Sequence, residues 1–142
     1  MRAAAVALGI IAFLAISALL ARWLTVDNAE RDQVTRLLQA QARGDAPGML
    51  HELDGCTAAC AGQVRANARR LRRPGSLQIV LYESSTSHAL SSRTGETRVV
   101  WKTPDTLTVV QCVRVQRTGN ALGGLKVSLL GVSGPRPRTA GC

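Results

Sequence analysis

Aromatic side chains are nearly missing from this chain. It has two Trp, one Tyr and one Phe in 142 residues. Past residue 23 only Tyr82 and Trp101 remain, so a folded core there must be built from Val, Leu and Ala. Lysine is equally scarce: Lys102 and Lys126 stand against sixteen Arg. Acids are outnumbered, nine to eighteen, which leaves a formal charge of +9. That balance favours anionic surfaces such as phospholipid, cell-wall polymer or nucleic acid. Together with abundant Ala, Gly and Val, the Arg bias also matches a GC-rich coding sequence. The two histidines, His51 and His88, lie far apart, and no Cys-x-x-Cys or Cys/His array occurs. Neither a metal site nor a cofactor is expected.

What the chain does have is one long apolar run. Ala3 to Ala21 reads AAAVALGIIAFLAISALLA, with no charge, Pro, Asn or Gln. As a helix it is roughly 28 Å long, close to the thickness of a bilayer's hydrocarbon core. Arg22 and Trp23 follow, the residue types found where a helix leaves lipid for the headgroups. The expected organisation is a transmembrane anchor over 1–23, an α+β domain over 24–134, and a Pro/Arg tail over 135–142 ending in Cys142.

The run is longer than the apolar part of a cleaved signal, and Leu19-Leu20-Ala21-Arg22 is a poor cleavage site. An uncleaved signal anchor is therefore expected. Its orientation is contested within the sequence. Arg22, Arg31 and Arg36 after the run outnumber Arg2 before it, which by the positive-inside rule places the domain in the cytoplasm. The very short N-terminus and four cysteines argue for the opposite side, because disulfides persist in oxidising compartments. The expectation is a plasma-membrane protein with one span and an extracytoplasmic C-terminal domain.

After the anchor, Asp27-Asn28-Ala29-Glu30 has the form of a capping box. Val34, Leu37, Leu38 and Ala42 then make one helical stripe, closed by Arg43-Gly44. Asp45-Ala46-Pro47 opens a short second helix with Met49, Leu50 and Leu53 inward, ended by Gly55. A third helix is expected from about Ala61 to Arg72, with Val64, Ala68 and Leu71 on its inner side. Pro74-Gly75 changes the period from 3.6 to 2. Leu77, Ile79 and Leu81 alternate with Gln78, Val80 and Tyr82. Glu83 to Thr94 is polar, and Thr94-Gly95-Glu96 reads as a turn. Thr97 to Lys102 is a second strand with Val99 and Trp101 on one face. After a turn at Thr103-Pro104-Asp105-Thr106, Leu107, Val109, Val113 and Val115 carry a third strand, with Cys112 and Arg114 opposite. Leu125, Val127 and Leu129 carry a fourth. Helices first and strands after give an α+β class: a transmembrane helix, then about three helices packed on a four-stranded antiparallel meander.

The third helix carries the strongest local charge feature. Arg65, Arg69, Arg70, Arg72 and Arg73 fan over its outer side. They are either a solvated face or an anion-binding face that lies near headgroups or meets an acidic partner. With no aromatic interleaved and no nucleic-acid motif, nucleic acid is not an expected partner.

The order of elements resembles the nuclear-transport-factor-2-like (cystatin-like) superfamily. The local likeness is LLQAQARGDAPGML, residues 37–50, a helix, Gly-Asp turn and second helix. The resemblance implies a curved sheet wrapped around helices. Membrane-anchored domains of this kind resemble accessory subunits of bacterial envelope machines, whose role is assembly. Enzymatic members use an Asp, Glu or His dyad inside the cone. Here His51 and Asp54 are spaced i, i+3, but no strand carries an inward acid. The expected role is thus a non-enzymatic interaction domain, accessory or scaffold in the cell envelope. The alternative is a cone that binds a small ligand or works as an isomerase or dehydratase.

The four cysteines allow three pairings. Cys56–Cys60 with Cys112–Cys142 is one reasonable arrangement; a crossed bond from Cys56 or Cys60 to Cys112 is another, and Cys112 could also stay free in the core. Cys-x-x-x-Cys bonding is expected to need a loop or distorted turn. A Cys112–Cys142 bond would close about 30 residues and stabilise by about 3 kcal/mol in the chain-entropy model.

Overall fold

The computed structural model describes residues 2–86, 91–120 and 123–142; His88 and part of the polar stretch around it lie outside the described residues. The side chain of Trp23 lies outside them as well. Three helices precede four strands: α1 (Arg2–Arg43), α2 (Ala46–His51), α3 (Ala58–Arg70), β1 (Gln78–Ser84), β2 (Ser91–Lys102), β3 (Val109–Asn120) and β4 (Gly124–Val132). The class is α+β, with a long apolar N-terminal helix and a four-stranded antiparallel sheet in the order β1-β2-β3-β4.

The apolar run and the first domain helix are one element. No Gly or Pro falls between Gly9 and Gly44, so nothing in the backbone interrupts 42 helical residues. The helix is about 63 Å long. Its first half is apolar and exposed, and is long and apolar enough to cross a membrane. Its second half supplies Val34, Leu37, Leu38, Gln41 and Ala42 to the core. The expected capping box is therefore helix interior, and its two acids serve another purpose, described below. Gly44 (φ +76°) ends the helix: its N–H donates to Gln41 O at 2.9 Å and that of Asp45 to Ala40 O at 2.9 Å. A Cβ at Gly44 would sit 3.0 Å from Arg72 Cδ, so the glycine also lets the chain after α3 approach.

Asp45 caps α2 by accepting from Gly48 N at 2.9 Å. α3 starts earlier than expected because Thr57 caps it, accepting from Cys60 N. Cys60 thus lies in the first helical turn and Cys56 just before the cap. The chain bends at the cap, which brings the two Cα atoms to 5.4 Å, and the pair is bonded. Cys112 and Cys142 form the second disulfide.

Two bulges change the face that each edge strand presents. Ile79 pairs with Trp101 and Leu81 with Val100, leaving Val80 as the extra residue. The alternation slips by one, so Tyr82 turns inward while Val80 and Leu81 stay 56% and 38% exposed. In β4, Val115 pairs with Leu129 and Arg114 with Gly131, so Leu129 and Val132 both face the core. Thr94-Gly95-Glu96, expected as a turn, is strand: β2 starts at Ser91. Glycine is required there because a Cβ would lie 2.3 Å from Ser85 Oγ and 2.7 Å from Thr86 Cγ2 of the crossing connection. Leu107, expected in the third strand, precedes it and is exposed.

The core lies between the sheet's inner face and the helices. Trp101, Val99, Val113 and Val115 pack against Leu37, Leu38 and Met49. Buried Gln111 bridges them: it accepts from Trp101 Nε1 at 2.7 Å and from Gln41 Nε2 at 2.8 Å, and donates to Ser133 O at 2.8 Å. On the outer face the tail covers β3. Arg136 N donates to Val110 O, Cys112 N donates to Ser133 Oγ, and Cys142 is bonded to Cys112.

Candidate functional site: the two poles of the domain

The domain has a pole near the apolar half of α1 and another at the far end of that helix. Each gathers charge, in opposite ways.

At the near pole Asp27 and Glu30, one turn apart on α1, face Arg117 of β3. Glu30 is fully buried. Its Oε1 accepts from Tyr82 Oη and Thr97 Oγ1, both at 2.8 Å. Its Oε2 accepts from Thr86 Oγ1 at 2.9 Å and from Arg117 Nε and Nη2 at 2.9 and 2.6 Å. Arg117 Nη2 also donates to Asp27. One carboxylate thereby ties α1 to β1, β2, β3 and the β1–β2 connection. Burial pushes the Glu30 carboxyl up, but hydrogen bonds from Arg117, Thr97, Tyr82 and Ser84 together outweigh it and hold the group below the usual carboxylate range. Burial, then the charge of Glu30, pushes the Tyr82 hydroxyl up. Burial works against the charged form of Arg117, yet its bonds to Asp27 and Glu30 raise it overall. A general base works best poised near the operating pH with a free lone pair. Glu30 is the reverse, ionised and saturated with donors, and suits a clamp. Beside it Asp27, Asn28, Arg31, Tyr82, Glu83 and Ser84 line an open groove of about 370 Å³.

At the far pole the end of α3 meets the end of α1. Arg73 N donates to Ala42 O at 2.9 Å, and Arg73 Nη1 to Leu107 O at 2.5 Å. The Arg73 guanidinium also lies 5.8 Å from the Trp101 ring centroid. Of the residues singled out on the third helix, Arg69, Arg70, Arg72 and Arg73 gather here; Arg65 sits more than a turn back along α3. Arg43, the last residue of α1, instead lines an open groove with Arg36, His51 and Glu52. Among the described residues no carboxylate comes within 4 Å of Arg69, Arg70, Arg72 or Arg73.

The remaining candidates disperse. His51 is 89% exposed with Glu52 at 4.0 Å, and Asp54 is exposed rather than paired with it. Glu96 comes close to the sulfurs of Cys112 and Cys142, but those sulfurs are bonded to each other and offer no thiolate to a metal.

No protein-family model matches the chain, and comparison with curated proteins and with solved structures gave no match.

Proposed function

We propose that this chain is a single-pass membrane protein whose basic α+β domain stands outside the cytoplasm and works by binding other macromolecules, as a non-enzymatic accessory or scaffold component of the cell envelope. The observation that carries this reading is the continuity of α1, one helix that is apolar and exposed at one end and core at the other. Such a helix fixes the domain's height above the bilayer, which a scaffold needs and a soluble ligand carrier does not. The two disulfides favour the oxidising side. Two of the three arginines that argued for the cytoplasm have roles in the folded domain: Arg31 lies over the Tyr82 ring and Arg36 pairs with Glu52. Trp101, Leu37, Leu38 and Met49 fill the inner face of the sheet, where a nuclear-transport-factor-2-like cone enzyme would hold substrate. That filling supports an interaction domain over the small-ligand alternative.

The test is labelling with a membrane-impermeant maleimide on intact cells, before and after reduction. Labelling only after reduction is the expected result. Thiols that react after lysis without reductant, and never in intact cells, would place the domain inside and overturn the reading.

A further inference from the structure

The far pole combines three features. The four arginines at the end of α3, Arg69, Arg70, Arg72 and Arg73, have no acid within 4 Å among the described residues. Leu107, whose carbonyl accepts from Arg73, is 78% exposed, more than the described large apolar side chains of the anchor itself. The pole is also remote from lipid: Arg22 and Arg43 are separated by 21 residues of helix, about 30 Å along the axis. Screening over about 8 Å at physiological salt leaves this charge without influence from the headgroups of its own membrane.

From these features we infer that the far pole is a docking surface for a carboxylate-rich segment of a second protein, with Leu107 seated in an apolar pocket of that partner. The inference rests on the membrane-tethered reading and adds the partner's chemistry and the direction from which it approaches. Guanidinium groups bind carboxylates through paired N–H donors, and Arg is enriched at interface cores where Lys is depleted. Arg73, which holds the Leu107 carbonyl, is of a residue type enriched at interface hot spots. A polyanionic polymer would use the arginines alone and leave Leu107 in water. Pro104 lies against Gly75, where a Cβ would come within 3.0 Å of its ring, so the turn before Leu107 packs on the loop that follows α3.

The experiment places a photoreactive phenylalanine analogue at position 107 of the full chain in living cells, with position 126, an exposed site on β4, as control. The expected result is a discrete protein adduct from 107 and not from 126, with the crosslinked peptide net acidic. Its yield should fall at least fivefold in R69Q/R72Q and when spheroplasts are irradiated in high salt. L107S, tested by co-purification of the protein so identified, should lose it equally. An adduct to lipid, an adduct insensitive to R69Q/R72Q, or co-purification that survives L107S would overturn the inference. So would the absence of any adduct specific to 107. Maleimide labelling of the same cells separates the two claims: an outward domain with no acidic partner at 107 defeats the docking surface alone.

Discussion

Replacing Arg117 by Met tests the near-pole clamp most directly. It leaves the Glu30 carboxylate fully buried with hydroxyl donors in place of a cation, among them Tyr82, Ser84, Thr86 and Thr97. Removing one partner of a buried ion pair costs about 3–5 kcal/mol, because the survivor stays desolvated and unpaired. E30Q should cost less, about 2–3 kcal/mol, since Arg117 keeps Asp27 and the Gln oxygen can still accept. The double variant E30Q/R117M buries no isolated charge. It should cost little more than the larger single change, a coupling of about 2–3 kcal/mol. Against a total stability of about 5–15 kcal/mol, each single change is severe. R117M should lower the melting temperature by on the order of 20 °C for a domain this size. The assay is denaturant unfolding of the full chain in detergent, followed by Trp101 fluorescence in a W23F background so that one indole reports. Trp101 is buried with its Nε1 on Gln111, so its emission follows the core. Single-variant costs below about 1 kcal/mol, or a double variant equal to the sum of the singles, would refute the clamp.

Other outcomes follow from the same structure. The Glu30 carboxyl ionises more easily folded than unfolded, so its contribution is complete above the ordinary value of 4.5 and is lost as pH falls through the lower folded value; acid titration of stability should show this limb in the wild type and a shallower one in E30Q. The Cys112–Cys142 bond closes a span of 30 residues against 4 for Cys56–Cys60; C112S/C142S should therefore cost about 3–4 kcal/mol and C56S/C60S about 2, as read by denaturant midpoints. G95A forces a methyl group against Ser85 and Thr86, and should cost about 1–3 kcal/mol through the displaced β1–β2 connection. Q111L strands the Trp101 indole N–H and the Gln41 amide, and unfolding should report a loss of about 2–4 kcal/mol.

The periodicities carried most of the fold. Helical stripes at Val34–Ala42 and Val64–Leu71 and alternation through Thr97–Lys102 all map to buried faces. The bulges did not show, because Val80 and Leu130 look like any strand residue and only the pairing partner reveals which one is extra. Gly95 misled for a related reason: glycine marks turns and also close crossings, and the crossing chain is ten residues away. The clamp was hidden by its own signature. Asp27-x-x-Glu30 is the spacing of a capping box and equally the spacing that puts two acids on one helix face toward a cation. The usable signal was Arg117, an arginine in phase with Val113 and Val115 on the buried side of β3. The far-pole arginines were legible as a group, whereas Leu107 joins them only through the tertiary fold.

On the membrane-tethered reading, the single helix α1 also sets the compass bearing of the domain. An apolar half seated in a bilayer would work as an axle: wherever its faces settled, the bearing of the far pole around the membrane normal would be set, since the same backbone carries both. Each residue added between Ala21 and Asp27 would swing the pole by about 100° and lift it by about 1.5 Å. Two added residues would point it nearly backwards. Seven would return it to within about 20° of the original bearing, about 10 Å higher. A partner fixed in the same membrane would therefore tolerate seven added residues better than two, although seven move the surface farther.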